Sequence, residues 1–453
     1  MTSRIAIVGS GPSGFFAAEA LLKSNLRLQV HMFDRLPTPF GLVRSGVAPD
    51  HASIKGVSRV FDRIAEDSAF EFCGNIEIGK DISLNELRRT YSAVVLAHGA
   101  AADSKLGIPG ECLPQVFSAG QFVGWYNGHP DFSDLRPDFN TENAVIFGHG
   151  NVAIDIARML LGDPQKFRKT DIAEHALDSL RGSKIKTVHL VGRRGPLQAS
   201  FTTAELRELL LKMEDMRVEI DAAALHLSSS EADELSKPAN AVAKRNIDLM
   251  REVADNSHQA AASKLLLISF FESPLEIRGS TKVEAVSLAR NVIVNTPQGK
   301  RAIPTDERRE ISAGLVLTSI GFRGRALPGA PFDRLTGRIP NQNGRVQLGD
   351  GSTAPLYAVG WIKRGANGVI GTNRADAAET VACMLSDYTE RKWLEPDLVN
   401  RGKHALPPKS TSFHDWQLIN QAEISAGLAV ERPRVKFTTI ADMLDVLPQR
   451  QAR

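Results

Sequence analysis

Two short apolar segments, each followed by a glycine-rich turn and then by a helical pattern, predict an α/β protein. The turns lie at residues 9–14 and at residues 148–153. A strand, a glycine turn and a helix in this order are typical of dinucleotide-binding domains. The 453-residue chain is long enough for two or three domains, each with its own core. We therefore expect two Rossmann-type, three-layer dinucleotide-binding domains.

The first turn follows the apolar run at residues 4–8 and reads Gly9-Ser10-Gly11-Pro12-Ser13-Gly14. The first glycine permits a tight turn, the second lets a pyrophosphate approach the backbone, and the third lets the helix pack on the strand. The next predicted strand, residues 28–33, ends at Asp34, twenty residues after Gly14. A carboxylate at this spacing accepts hydrogen bonds from an adenosine ribose. The alternative is an ordinary glycine-rich turn in an α/β domain.

The second turn follows residues 144–147 and reads Gly148-His149-Gly150-Asn151-Val152-Ala153. The next strand, residues 187–191, leads into Arg193 and Arg194 instead of an acid. Guanidinium groups at this position favour a 2′-phosphate, and therefore NADP(H). The distance from the turn to the arginines exceeds the usual ~20 residues, so we expect an inserted segment around residues 163–183. Alternatively, the arginines are a surface pair; His149 is interpreted as a turn residue.

Composition limits the possible functions. The net charge of +3, from 55 basic and 52 acidic residues, gives no evidence for nucleic-acid binding. The longest apolar runs, such as residues 264–271, are far shorter than the ~20 residues of a membrane span, so we expect no membrane segment. The three cysteines are isolated and form no CxxC pair, zinc set or iron–sulfur set; we expect reduced structural thiols and no metal. A strand pattern beginning at Arg4 leaves no room for a signal peptide, which predicts a cytoplasmic, bacterial protein, with a processed mitochondrial form as the alternative.

Several longer motifs resemble one family. They are Pro39-Phe40-Gly41-Leu42-Val43-Arg44, Val47-Ala48-Pro49-Asp50-His51, the second glycine turn through Asp155, residues 122–128, 191–196, 201–208 and 359–365. In order and spacing the chain resembles, over nearly its whole length, the adrenodoxin reductase-like ferredoxin–NADP⁺ reductases. The resemblance implies hydride transfer between NADP(H) and FAD, and single-electron transfer between FAD and a ferredoxin.

The resemblance also implies positions for both cofactors. The residues expected at the FAD site are Gly9, Gly11, Pro12, Ser13, Gly14, Asp34, Arg35, Gly41, Leu42, Val47, Ile82, Gly360, Trp361, Gly368, Val369 and Ile370. Those expected at the NADP site are Gly148, Gly150, Asn151, Val152, Ala153, Arg193, Arg194 and Glu205, with Gly368 shared by the two cofactors. The chain departs from the family pattern at Asp34, where Glu is commoner, and at residues 366–367 and 100–102. These departures remove no charged contact.

Two residues are candidates for a catalytic role. His51 follows the PFGLVR motif, and Glu205 lies near the start of a predicted helix, where it can accept a hydrogen bond from the nicotinamide carboxamide. Because hydride transfer needs no general base, we interpret both as positioning and proton-linked residues. The alternative is structural: a satisfied histidine and an acid at a helix N-terminus.

The electrons are expected to leave the protein. A disulfide reductase needs a cysteine pair beside the flavin, which this sequence lacks. The expected acceptor is a small acidic iron–sulfur protein, a ferredoxin, docking near Lys244, Arg245 and Arg251 on a helix predicted at residues 239–254; the alternative is a solvated charged face. Two other functions stay open: a flavoprotein subunit that feeds another oxidoreductase, and a non-catalytic NADPH- and FAD-binding scaffold. We expect a monomer.

The domain order is predicted to be discontinuous. Residues 1–104 begin the FAD-binding domain, residues 105–320 form the NADP-binding domain, and residues 321–453 return to the FAD-binding domain. A predicted strand at residues 314–320 marks the return. The tail, residues 403–453, carries no motif and is expected to pack against the FAD-binding domain.

Overall fold

The structure, a computed structural model, describes residues 2–255, 262–297, 299–349, 355–393 and 406–448. Its strands are β1 (Ser3–Val8), β2 (Leu28–Phe33), β3 (Phe70–Cys73), β4 (Ala93–Leu96), β5 (Ala102–Asp103), β6 (Val116–Ser118), β7 (Asn143–Phe147), β8 (Thr187–Val191), β9 (Met216–Ile220), β10 (Lys264–Ser269), β11 (Glu272–Arg278), β12 (Ala285–Thr296), β13 (Gly299–Ser312), β14 (Leu315–Thr318), β15 (Phe322–Arg323), β16 (Asn341–Gln342), β17 (Arg345–Val346) and β18 (Leu356–Ala358).

The α-helices alternate with these strands over much of the chain. They are α1 (Pro12–Leu22), α2 (Leu42–Ser45), α3 (Ala52–Lys55), α4 (Ser58–Ala65), α5 (Leu84–Thr90), α6 (Ala119–Tyr126), α7 (Asn151–Leu161), α8 (Pro164–Phe167), α9 (Glu174–Arg181), α10 (Thr203–Lys212), α11 (Ser229–Leu235), α12 (Ala241–Asp255), α13 (Trp361–Arg364), α14 (Thr372–Thr389), α15 (Phe413–Leu428) and α16 (Ile440–Asp445). Helices α8 and α9 form the insertion predicted around residues 163–183.

The first large sheet has the strand order β16-β17-β18-β4-β1-β2-β3. Strands β18, β4, β1, β2 and β3 run parallel, and β17 and β16 are antiparallel at one edge. Ile5, Ala6 and Ile7 of β1 are fully buried, as expected for a parallel strand that is covered on both faces. Strands β16, β17 and β18, close to the C-terminal part of the chain, therefore complete a sheet that begins at Ser3.

The second large sheet has the order β6-β14-β7-β8-β10-β9, and all its strands are parallel. Helices α6, α7, α9, α10 and α12 supply much of its largest apolar cluster. Helix α12 buries Ile247 and Met250, so this segment is not wholly solvent-facing. A small antiparallel sheet, β11-β12-β13, adjoins the second large sheet.

The chain passes between the two large sheets twice, and both passages lie side by side. Strand β5 pairs antiparallel with β15, with Phe322 opposite Asp103 and Arg323 opposite Ala102. Ser104 N donates a further hydrogen bond to Gly321 O at 2.9 Å. The predicted domain limits at residues 104 and 320 lie close to this two-stranded sheet, and the limits themselves stay a prediction.

The C-terminal segment packs on the first sheet and also contacts the second part of the molecule. Trp416, Ile419 and Met443 belong to the apolar cluster that contains β1 and α1. The Lys436 ammonium lies 2.9 Å from the Asp171 carboxylate, between α8 and α9. Within the described residues, no helix combines the length and the apolar character needed to cross a bilayer.

Candidate active site

The first glycine turn is tightly packed at its first and third glycines and open at its second. Gly9 has a φ of +110°, and a Cβ there would lie 2.5 Å from Ala97 O, just past the end of β4. A Cβ at Gly14 would clash with Gly9 O, so the third glycine lets α1 pack on the turn. A Cβ at Gly11, in contrast, would meet no atom of the described part of the chain within 4 Å. The turn thus presents open space at the start of α1, where free helix amides attract anions.

Asp34, at the end of β2, is fixed by the first turn. Its Oδ2 accepts hydrogen bonds from Ser10 N at 3.0 Å and from Ser10 Oγ at 2.5 Å, and its Oδ1 accepts from Leu36 N at 3.0 Å. An ionised carboxylate offers about four acceptor positions, so one is left for a ribose hydroxyl. Arg35 forms a bidentate pair with Asp131, with distances of 2.9 and 2.6 Å.

The segment after β18 returns to the first turn. A Cβ at Gly360, whose φ is +72°, would clash with Ser13 Oγ, and Ser13 Oγ donates to Asn373 Oδ1 at 3.0 Å. The Trp361 ring stacks on Phe322 with 5.8 Å between ring centroids. The structure therefore brings Gly360 and Asn373 against the first turn.

Two apolar side chains beside the first turn are exposed. Leu42 is 46% exposed and Val369 is 61% exposed. Each follows a glycine with a positive φ, Gly41 and Gly368 respectively. A flat apolar ring bound here would remove them from water. Val47 and Ile370 are half-buried. Ile82 differs, since it is buried in the cluster of Val8 and Phe33.

The second glycine turn repeats the geometry of the first. Gly148 has a φ of +122°, and a Cβ there would clash with Ser319 O, just past the end of β14. Gly150 is the N-cap of α7 in an extended conformation, and Ala153 is fully buried. Asn151 Oδ1 accepts a hydrogen bond from Thr202 N at 2.8 Å, which ties the turn to the start of α10. Val152 is half-buried and packs on the core.

His149 points into the protein. Its Nε2 lies 3.2 Å from Leu190 O, and its ring packs edge-on against Phe270. Burial lowers the pKa of His149 to about 4, so the ring is neutral at physiological pH. This geometry agrees with its interpretation as a turn residue.

Arg193 and Arg194 follow β8 and are both exposed. Among the described residues, neither guanidinium forms an ion pair with a carboxylate. Burial and the neighbouring Arg193 charge lower the pKa of Arg194. Two adjacent cations that lack an acidic partner form a favourable position for a phosphate.

A buried charge cluster lies between the two parts of the molecule. His51 Nε2 lies 3.5 Å from Glu205 Oε2 and 3.7 Å from Glu208 Oε1, and His51 Nδ1 lies 3.9 Å from Asp155 Oδ1. Arg158, with a side chain only 3% exposed, contacts the same three carboxylates. It also contacts the Asp50 carboxylate at 3.0 Å. The cluster therefore joins the loop before α3 to helices α7 and α10.

The surroundings of Asp155 in the cluster favour the protonated form of its carboxyl group. Burial raises the pKa of Asp155 to about 8; the Arg158 charge opposes this shift, and the carboxylates of Glu205, Asp50 and Glu208 reinforce it. His51, Asp155 and Glu205 offer ligand atoms within 4.8 Å of one another, a spacing that a metal ion could use. Because the Arg158 guanidinium already supplies a cation among these carboxylates, we assign no metal to the cluster.

Comparison with known proteins decides the family. Residues 7–74 match the family model described as an NAD(P)-binding Rossmann-like domain. The chain is 45% identical to NADPH-ferredoxin reductase FprA of Mycobacterium tuberculosis, over 98% of each chain. The chain belongs to the NADPH-ferredoxin reductase family. The mitochondrial NADPH:adrenodoxin oxidoreductase of Arabidopsis thaliana is 41% identical over 97% of this chain and 94% of its own.

The solved structure of M. tuberculosis FprA in complex with NADPH superposes with a TM-score of 0.91, at 44% identity, over 98% of this chain and 99% of that one. The predicted α/β class with two dinucleotide-binding domains and the predicted family are thus confirmed. This family consists of FAD-dependent oxidoreductases that use NADPH.

Four residues of the charge cluster have no role that could be assigned from the sequence. They are Asp50, Asp155, Arg158 and Glu208. One signal was available: Asp155 and Arg158 are charged residues three positions apart in the otherwise apolar helix α7. Buried charged side chains have to be paired, so these two positions indicate an ion pair inside the protein.

Asp155 should make stability depend on pH. Because its folded-state pKa lies above the ordinary value, the folded protein holds this proton more tightly than the unfolded chain, and stability is lost as pH rises from about 4 to about 8. The Asp155→Asn variant removes this loss, which is at most about 1.4 kcal/mol per pH unit. We expect the melting temperature of the variant, measured relative to that of the wild type, to be higher at about pH 8.5 than at about pH 6.

The matched control for this experiment is Asp178→Asn, on the exposed side of α9. It should track the wild type at both pH values. A difference between Asp155→Asn and the wild type that stays constant with pH would contradict the assignment of the proton to Asp155.

Proposed function

We propose that this protein transfers hydride between NADP(H) and FAD and single electrons between FAD and an iron–sulfur ferredoxin. The observation that carries the proposal is the pair of glycine turns in one chain whose full-length relatives are NADPH-ferredoxin reductases. When both are bound, the nicotinamide supplies hydride and the flavin converts this electron pair into single electrons. The protein binds and orients the two rings and holds the protons nearby.

The open space at Gly11 fits the pyrophosphate of FAD. The free amides at the start of α1 face a bound phosphate, and Asp34 accepts a hydrogen bond from the ribose. The exposed Leu42 and Val369 side chains cover the apolar ring. We propose the FAD-binding set Gly9, Gly11, Pro12, Ser13, Gly14, Asp34, Arg35, Gly41, Leu42, Val47, Ile82, Gly360, Trp361, Gly368, Val369 and Ile370. Ile82 and Arg35 contribute chiefly by shaping the site, because one is buried and the other is paired with Asp131.

The second turn fits NADP(H). The start of α7 faces the pyrophosphate, and Arg193 and Arg194 bind the 2′-phosphate. We propose the set Gly148, Gly150, Asn151, Val152, Ala153, Arg193, Arg194, Glu205 and Gly368. Glu205 is the third residue of α10 and accepts a hydrogen bond from the nicotinamide carboxamide. His51, within 3.5 Å of Glu205, positions that carboxylate.

Ferredoxin docks, in this proposal, on the outer face of α12. Lys244 and Arg245 are exposed there. Arg251 is less available, because its guanidinium donates to Leu225 O at 2.7 Å. An acidic partner would be attracted mainly by the exposed Lys244 and Arg245, and such attraction raises the rate of association more than the affinity.

Reversing the charges of Lys244 and Arg245 to Glu should raise the KM for ferredoxin about tenfold at low salt, because steering by charge is lost. Reduction of ferricyanide by NADPH, which needs no docking surface, should be unchanged. Raising the salt concentration should slow the wild type toward the rate of the variant.

The matched control is Lys80→Glu, a charge reversal at a 73% exposed lysine on the other part of the molecule. It should leave the KM for ferredoxin unaltered. A wild-type ferredoxin reaction that is insensitive to salt would show that α12 does not steer the partner.

Spectra of the purified protein test the function itself. It should be yellow, bleach anaerobically with NADPH and much less with NADH, and reduce cytochrome c efficiently only when a ferredoxin is added. Colour that NADPH does not bleach would support a scaffold. Bleaching without ferredoxin reduction would support a subunit that feeds another oxidoreductase. We also expect a monomer, by light scattering, and a cytoplasmic location in a bacterium.

A further inference from the structure

The loop that carries Arg193 and Arg194 is hydrogen-bonded to the neighbouring small sheet. Gly192 O accepts a hydrogen bond from Glu272 N at 3.0 Å, and Arg194 O accepts one from Phe271 N at 3.2 Å. Between them, Arg193 O accepts a hydrogen bond from Asn291 Nδ2 at 2.8 Å. Three successive carbonyls of the loop are therefore satisfied by residues of the small β11-β12-β13 sheet and the turn that precedes it.

Asn291 supplies the one bond of these three that depends on the identity of a side chain. The other two donors are backbone amides, which every residue except proline provides. Asn291 is 4% exposed and lies where the pairing register of β12 with β13 shifts. Its Nδ2 also donates to Ser273 Oγ at 2.9 Å, and its backbone N donates to Phe271 O at 2.6 Å. Both amide hydrogens of the side chain are thus used.

The oxygen of the same side chain has no partner among the described residues. Asn291 Oδ1 is buried and accepts no hydrogen bond. A buried polar atom without a partner is unfavourable, so an apolar residue would serve the β12 strand better if packing were its only task. The amide donor is the property that distinguishes Asn291 from such a residue.

The far end of the loop is also held by the same elements. Phe271 has a φ of +56°, an uncommon conformation for a residue with a side chain. A Cβ at Gly195 would lie 2.5 Å from the Phe271 ring, and the Arg290 guanidinium lies over that ring at 5.6 Å from its centroid. The loop backbone is therefore set before any ligand arrives.

We propose that Asn291 is a positioning residue for cofactor selection: by fixing the Arg193 carbonyl, it orients the Arg193–Arg194 pair toward a 2′-phosphate and so favours NADPH over NADH. The inference rests on the proposed function. A loop that is ordered in advance loses less conformational freedom when it binds. Without the Asn291 bond, the Arg193 carbonyl seeks another donor, and the arginine pair has to be ordered by the ligand.

Two substitutions separate the donor from the shape of the side chain. Asn291→Asp keeps the shape and removes the Nδ2 donor, and Asn291→Leu removes the donor without adding charge. Asn295→Asp is the matched control, because it makes the same chemical change at an exposed position of the same strand. FAD content and melting temperature show which variants are folded.

The readouts are steady-state kinetics with ferricyanide and calorimetric binding of 2′,5′-ADP and 5′-AMP, which differ only in the 2′-phosphate. Both Asn291 variants should raise the KM for NADPH about tenfold with kcat within about twofold of the wild type. Their KM for NADH and their affinity for 5′-AMP should be unchanged, while 2′,5′-ADP binds about tenfold more weakly. The Asn295 variant should match the wild type in every measurement.

Equal losses for NADPH and NADH would mean that Asn291 only supports the fold, and unchanged binding of 2′,5′-ADP would mean that it does not position the arginines. Either result overturns the proposal. A different result would disprove the proposed function: the wild type itself would then not reduce ferricyanide with NADPH. The 2′,5′-ADP measurement would still decide the role of Asn291 in that case.

Discussion

Replacing Arg193 and Arg194 together by Ala should raise the KM for NADPH at least about 100-fold and leave the KM for NADH nearly unchanged. A hydrogen bond to a charged group contributes about 1.5–3 kcal/mol, and no carboxylate among the described residues competes for either guanidinium. NADPH would lose both arginine contacts to its 2′-phosphate, whereas NADH, which has no 2′-phosphate, would lose neither. Because the 2′-phosphate is remote from the reacting ring, kcat at saturating NADPH should change little.

Initial rates with each nucleotide and ferricyanide measure this effect. The matched control replaces Arg181 and Arg217 by Ala, which removes the same charge at exposed positions that carry acidic partners. A parallel loss for NADH would show that the arginines support the turn and do not read the phosphate. A loss confined to kcat would contradict their placement at the adenosine end of the cofactor.

Gly11→Val should yield a folded, colourless protein. Gly11 has an extended backbone, with φ of −76° and ψ of −179°, which valine adopts readily. A Cβ there meets no atom of the described residues within 4 Å, so the fold is not strained. The new methyl groups occupy the space that the pyrophosphate needs, and the affinity for FAD should fall up to about 100-fold, since forced overlap costs about 1–3 kcal/mol.

The absorbance at the flavin maximum after purification, and titration of apoprotein with FAD, measure this loss. Gly349→Val is the matched control, because a Cβ at Gly349 also meets no atom of the described residues within 4 Å, but Gly349 lies on the loop after β17. It should be as yellow as the wild type. A yellow Gly11→Val protein would place the FAD pyrophosphate elsewhere.

Features encoded by contiguous residues could be predicted from the sequence. The strand, turn and helix around Gly9 and Gly148 form one local pattern, and Asp34 and Arg193 follow at the end of the next strand in each case. The helix predicted at residues 239–254 is α12, Ala241–Asp255. These elements depend on turn geometry and apolar periodicity, which neighbouring residues determine.

Contacts between distant segments could not be predicted in the same way. Two partners of Arg158 are Asp50, from the loop before α3, and Glu208, from α10, and no spacing in the sequence places these residues beside α7. The same holds for the Arg193 carbonyl, whose donor Asn291 lies on a different sheet. In the sequence, Arg251 looks as available for docking as Lys244 and Arg245, and only the structure shows that its guanidinium donates a hydrogen bond to Leu225 O.

The paired strands β5 and β15 have a mechanical consequence. Two covalent connections join the parts of the molecule that hold the two glycine turns, and backbone hydrogen bonds fasten these connections to each other. A change in the relative orientation of these parts would therefore have to bend both connections together, at the two-stranded sheet. A change that moved Asp171 away from Lys436 would also break the contact between a buried carboxylate and a buried ammonium.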